Sequence, residues 1–99
     1  MEKEPQLIAA VDEVRRHFGD SIEVVDHWDG DRLAIGIARR DDHQRLAYIK
    51  QIERAARFFV ALETAPVPGS DLPYAPAGEH DNLTIAEVIR VVGDHLRLL

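Results

Sequence analysis

Apolar side chains recur at helical spacing near the start of the chain: Leu7, Val11, Val14 and Phe18, with Ala10 beside them. Pro5 suits the first helical turn, where its missing N–H costs nothing. Arg15, Arg16 and His17 oppose the negative end of the helix dipole, and Gly19 is a natural stop. The pattern predicts an amphipathic helix over residues 5–18.

The pattern then changes period. Asp29-Gly30 is a preferred two-residue hairpin turn, because both central positions need positive φ. Folding the flanking residues about it sets Trp28 opposite Asp31, Asp26 opposite Leu33, Val24 opposite Ile35, and Ile22 opposite Ile37. The apolar pairs fall on one face, as a half-buried antiparallel pair requires. The other face carries Glu23, Val25 and His27, opposite a row of small residues, Ala34, Gly36 and Ala38. That row reads as a bland exposed face, or as one that admits a helix or a partner.

Residues 41–64 support two readings. As a helix, Asp41 caps with Gln44 three residues later, and Leu46, Ile49, Ile52, Ala56 and Phe59 form a stripe. As a hairpin, strands Leu46–Ile49 and Phe58–Leu62 bracket a charged turn near Glu53 to Ala56. Aromatic and β-branched residues favour strand for the second run, but no Gly, Asn or Pro marks the turn. Residues 58–64 read as strand in both cases.

Residues 65–82 hold Pro66, Pro68, Pro73 and Pro76, with Gly69 and Gly78. This density excludes a helix and disfavours a central strand, so the stretch reads as a long loop. Thr84 then caps a final helix, with Glu87 completing a capping box and Leu83 and Val88 forming a hydrophobic staple. Ile85, Val88, Ile89, Val92, Leu96 and Leu99 line one face, interrupted by Gly93.

Together these elements predict a single α+β domain over residues 1–99, in the order α-β-β-β-β-α. A four-stranded antiparallel sheet carries the N- and C-terminal helices on one face. The alternative order is α-β-β-α-β-α. Ile22, Val24, Leu33, Ile35 and Ile37 are expected to face Val11, Val14, Phe18, Val88, Ile89 and Val92.

Composition narrows function more than fold. The 99 residues contain no cysteine, which removes disulfides, thiolate catalysis and thiolate metal sites. No apolar run reaches membrane-spanning length and no secretory signal is visible, so a cytoplasmic protein is expected. The net charge is −6, which argues against general binding to nucleic acid or anionic lipid. Arg39, Arg40, Arg45, Lys50, Arg54 and Arg57 gather mid-chain, but residues 41–64 balance four acids against four bases. That is a mixed solvated surface rather than a phosphate groove.

Candidate chemistry is sparse. Asp26 and His27 point to opposite faces of a strand, so the acidic stretch Asp26–Asp31 reads as a turn and not as a metal loop. Ser21 and Ser70 lack a glycine-flanked elbow, and no phosphate-binding glycine loop is present. The expectation is therefore no enzyme, no metal and no cofactor. What remains is protein binding. Asp26, Asp29 and Asp31 supply charge, while Trp28 and Tyr74 are residue types enriched as interface anchors.

The order of features resembles small acidic immunity proteins of bacterial polymorphic toxin systems. The resemblance is carried by Asp26-His27-Trp28-Asp29-Gly30-Asp31, then Leu33-Ala34-Ile35-Gly36-Ile37-Ala38. It continues through Arg45-Leu46-Ala47-Tyr48-Ile49, Phe59-Val60-Ala61-Leu62-Glu63 and a closing helix ending in His95-Leu96. It spans roughly residues 20–97. It implies strands at Leu46–Ile49 and at the Phe-rich segment, which favours the second hairpin over a helix. The departure lies at Gln51 to Arg57, where a turn residue is expected and absent. The resemblance implies a stoichiometric inhibitor that covers a basic toxin, and it carries over no catalytic residue. The alternatives are a small enzyme or ligand-binding domain with a pocket near the loop 65–82, using His80 and Asp81, and a homodimeric structural protein.

Overall fold

The computed structural model describes residues 3–25, 32–52, 57–66, 68–69, 71 and 74–98. Helix α1 spans Pro5–Phe18 and closes through a 3-10 turn, Gly19–Ser21. Five strands follow: β1 Ile22–Val24, β2 Ala34–Arg39, β3 Asp42–Gln51, β4 Phe58–Thr64 and β5 Ala75–Leu83. Helix α2 spans Ile85–His95. The sheet is an antiparallel meander in the order β1-β2-β3-β4-β5.

The α+β class and the two terminal helices agree with the sequence reading, but the sheet has five strands rather than four. The additional strand lies inside the stretch read as a loop. Proline and glycine exclude central strands, yet an edge strand tolerates both because one side of its backbone needs no sheet partner. β5 is such an edge. Pro76 and Gly78 sit where its pairing with β4 slips, between Leu62 and Glu63.

The helical alternative for residues 43–56 gives way to a ten-residue strand, β3. Asp41 does not cap a helix. It lies in a tight connection between β2 and β3, with Arg39 Nε 2.7 Å from its carboxylate. Asp42 accepts the Gln44 N–H at 2.9 Å. Local propensity loses here to tertiary pairing, since β3 is bonded to a strand on each side.

The first hairpin is also offset. Ile22 pairs with Arg39 and Val24 with Ile37, two residues from the expected register. An even offset preserves the faces, so Ile22, Val24, Ile35 and Ile37 still turn toward the helices. Leu33 precedes β2 and is half-buried, and its expected partner Asp26 lies outside the described residues. The expected Asp29-Gly30 turn lies outside the described residues.

Both helices cover one face of the sheet. Leu7, Val11, Val14, Val88, Val92 and Leu96 meet Ile22, Ile37, Ala47, Ile49, Val60 and Leu62 there. Burying each of the Leu, Ile and Val side chains contributes roughly 1.5–3 kcal/mol. Phe18, Val24, Ile35 and Ile89 pack on the margin of this core.

α2 has its full capping box: Thr84 accepts from the Glu87 N–H and Glu87 accepts from the Thr84 N–H. The helix ends at His95, and Leu99 lies outside the described residues. Leu98 N–H reaches Gly93 O at 2.8 Å and Arg97 N–H reaches Asp94 O, with Arg97 in the left-handed region. This is a Schellman closure with arginine in the position glycine usually fills.

The row of small residues on the opposite face is not exposed. Ala34, Gly36 and Ala38 are buried, together with Leu46 and Tyr48, all outside the helix-side core. A Cβ on Gly36 would lie 2.2 Å from the Val25 carbonyl oxygen. The backbone just past β1 therefore approaches Gly36 closely, and only glycine permits the approach.

Candidate functional site

The described residues of the helix-free face divide in two. Toward β2 and β3 it holds the buried Ala34, Gly36, Ala38, Leu46 and Tyr48, with the exposed Lys50 opposite Ala34. Toward β4 and β5 it opens into a concavity of about 190 Å³, lined by Ala61, Leu62, Glu63, Tyr74, Pro76, Gly78 and Glu79. The register explains the grouping. Glu63 lies opposite Pro76 and Ala61 opposite Glu79, so both carboxylates project from the face that Ala61 shares. Glu63 and Glu79 are then diagonal neighbours, roughly 7–8 Å apart. Among the described residues neither side chain makes an ion pair or hydrogen bond. Tyr74, half-buried just before β5, forms the aromatic wall.

The helix layer holds this site from behind. His95 is buried at the end of α2, and its Nε2–H donates to the Glu63 carbonyl at 2.8 Å. Arg45 donates to the His95 carbonyl at 3.3 Å. The sequence reading places His95 only at the end of the closing helix. Its role here is to tie α2 to the end of β4, which fixes the backbone from which Glu63 projects.

Of the candidate interface residues, Tyr74 lines the concavity. Asp26, Trp28, Asp29 and Asp31 lie outside the described residues. Glu63 and Glu79 are not evident as a pair in the sequence, because their proximity depends on β5. A weak signal exists: alternation along Phe59-Val60-Ala61-Leu62-Glu63 already puts Phe59, Ala61 and Glu63 on one face.

The His80 and Asp81 pair is separated. His80 faces the helix side with Val60, and lines a concavity of about 410 Å³ with Leu62, Arg90, Val91 and Asp94. Asp81 instead accepts the Asn82 N–H at 2.8 Å, where Asn82 takes a positive φ and the β4–β5 pairing slips. Among the described residues no group of three or more His, Asp or Glu side chains is arranged to hold a metal ion.

Much of the mid-chain arginine charge is directed at backbone carbonyls. Arg39 donates to Arg97 O, Arg40 to Asp20 O and Ile22 O, and Arg57 to Asn82 O. These groups knit strand ends to helix ends. Among the described residues Glu87 is the titratable group whose pKa is displaced. The Thr84 backbone N–H, followed by its hydroxyl, stabilises the carboxylate and lowers its pKa below the ordinary range.

Among the described residues no helix is long and apolar enough to cross a membrane. Compared with protein-family models, curated proteins and solved structures, the chain has no significant match to any of them.

Proposed function

We propose that the chain is a non-enzymatic protein-binding module that captures a basic partner, in the manner of an immunity protein occluding a toxin. The observation that carries this reading is the concavity on the helix-free face, where Tyr74 stands beside Glu63 and Glu79 with no cation among the described residues engaging either carboxylate. An aromatic wall, an apolar floor and unpaired acids suit a basic protein surface. The net charge of −6 steers such a partner at long range. Asp26, Asp29 and Asp31 add charge to the interface, and Trp28 adds buried area.

The test is affinity capture from native cells with wild-type protein and with a Glu63→Lys/Glu79→Lys variant as bait. One stoichiometric basic protein, released by salt and absent from the variant, is expected. Equal retention by both baits contradicts the reading. If Trp28 is a central anchor, Trp28→Ala weakens the complex by about 2 kcal/mol or more. An unchanged affinity moves the interface away from the hairpin tip.

The rival reading, a small ligand-binding domain, draws on the concavity formed by His80, Arg90 and Asp94 over Leu62 and Val91. It predicts a saturable rise in thermal stability with a small molecule, removed by Arg90→Ala.

A further inference from the structure

We infer that the Tyr74 concavity receives one arginine side chain of the basic partner. This inference rests on the protein-binding reading above and specifies which group of the partner the site takes.

Three observations converge on a guanidinium. First, Glu63 and Glu79 project from one sheet face as diagonal neighbours, and no described cation pairs with either. Like charges held this way repel, and a cation seated between them relieves the repulsion. A planar fork with several N–H donors can address both carboxylates at once, which a compact ammonium does less well. Second, Tyr74 borders the same space, so its ring can meet the face of a guanidinium. Third, Ala61 and Pro76 supply apolar walls along which the methylene stem of a long side chain can lie. At about 190 Å³ the space holds a side chain and not a folded element. Glu63 is also backed by the His95 contact to its carbonyl, so the acceptor is positioned before the partner arrives.

Among the described residues no arginine pairs with Glu63 or Glu79. Arg39, Arg40, Arg45 and Arg57 are bound to carbonyls elsewhere, and Arg90 borders the concavity on the helix side of β5.

The experiment is an NMR titration of the isotopically labelled full chain with Nα-acetyl-arginine methylamide. The lysine and citrulline analogues and free arginine serve as controls. The arginine analogue is expected to shift the amides of Ala61 to Glu63, Tyr74, Gly78 and Glu79 in a saturable way. The lysine analogue binds more weakly, and the uncharged citrulline analogue produces no shift. Tyr74→Leu weakens the arginine analogue about two- to fivefold, the size of an exposed cation–π contact. Glu63→Gln and Glu79→Gln each weaken it up to about fivefold, while the rest of the spectrum superimposes on wild type. Equal shifts with citrulline, or shifts confined to other surfaces, overturn the inference. Tighter binding of free arginine than of the blocked analogue also overturns it, in favour of a small-molecule site. Capture of a stoichiometric partner without these shifts removes the arginine subsite alone. The shifts without any captured partner remove the protein-binding reading and leave a guanidinium site.

Discussion

The two faces of the sheet are built on different rules. On the helix side, branched aliphatic side chains from the strands meet both helices, and Leu7, Val14, Ile37, Ile49, Val60, Val88 and Val92 are fully buried. On the other side small residues replace bulk: Ala34, Gly36 and Ala38 are buried, and the Val25 backbone approaches Gly36 closely. Toward β4 and β5 this face opens, and there it presents Tyr74, Glu63 and Glu79. One face therefore carries most of the stabilising burial, whereas the outer part of the other holds charged groups that contribute little to it. A surface relieved of a folding role is free to serve recognition.

This division sets a graded series of effects. The largest is expected in the helix-side core, where Ile49→Ala costs about 2–5 kcal/mol, measured by denaturant unfolding. A loss below 1 kcal/mol places the core elsewhere. Gly36→Ala follows, at about 1–3 kcal/mol, because its methyl group meets the Val25 backbone oxygen and neither neighbour is a flexible side-chain tip. A neutral Gly36→Ala shows that β1 can withdraw at no cost.

Thr84→Ala is expected to cost about 1 kcal/mol through loss of the α2 cap. Glu87 adds a pH signature. Its carboxyl titrates below the ordinary glutamate range, so its stabilisation is complete above that range and is lost as the pH falls through the lowered value. The destabilisation caused by Glu87→Gln should therefore be largest near neutral pH and fade in acid. A constant difference across pH assigns the effect to packing. The smallest effect is predicted for Glu63→Gln with Glu79→Gln, within about 0.5 kcal/mol of wild type in thermal unfolding. A large loss there removes the distinction between the faces.

The same division explains what is legible in the sequence. Both helices announce themselves, since Pro5, Gly19 and the Thr84–Glu87 box are local signals. The facing of Ile22, Val24 and Ile37 survives an even change of register, because side-chain alternation depends on parity and not on the turn. β3 is harder to read: residues 43–56 contain a helical stripe, and pairing on both sides decides the outcome. β5 is hidden by its prolines and glycines, which mark a loop as well as an edge. Missing β5 conceals the candidate site, because Glu63 and Glu79 come together only across the β4–β5 ladder. Tyr74 is recognisable by residue type, but its acidic neighbours are not. The acidic tip Asp26–Asp31 stands as a sequence expectation, outside the described residues.

The most direct measurement is paired calorimetry on the captured partner, with wild type and with the Glu63→Gln/Glu79→Gln variant, alongside thermal unfolding of each free protein. The division between faces predicts a markedly weaker complex for the variant, a smaller salt dependence of binding, and a melting temperature equal to that of wild type. An unchanged affinity, or an affinity lost only in step with stability, would contradict the assignment of recognition to the β4–β5 face.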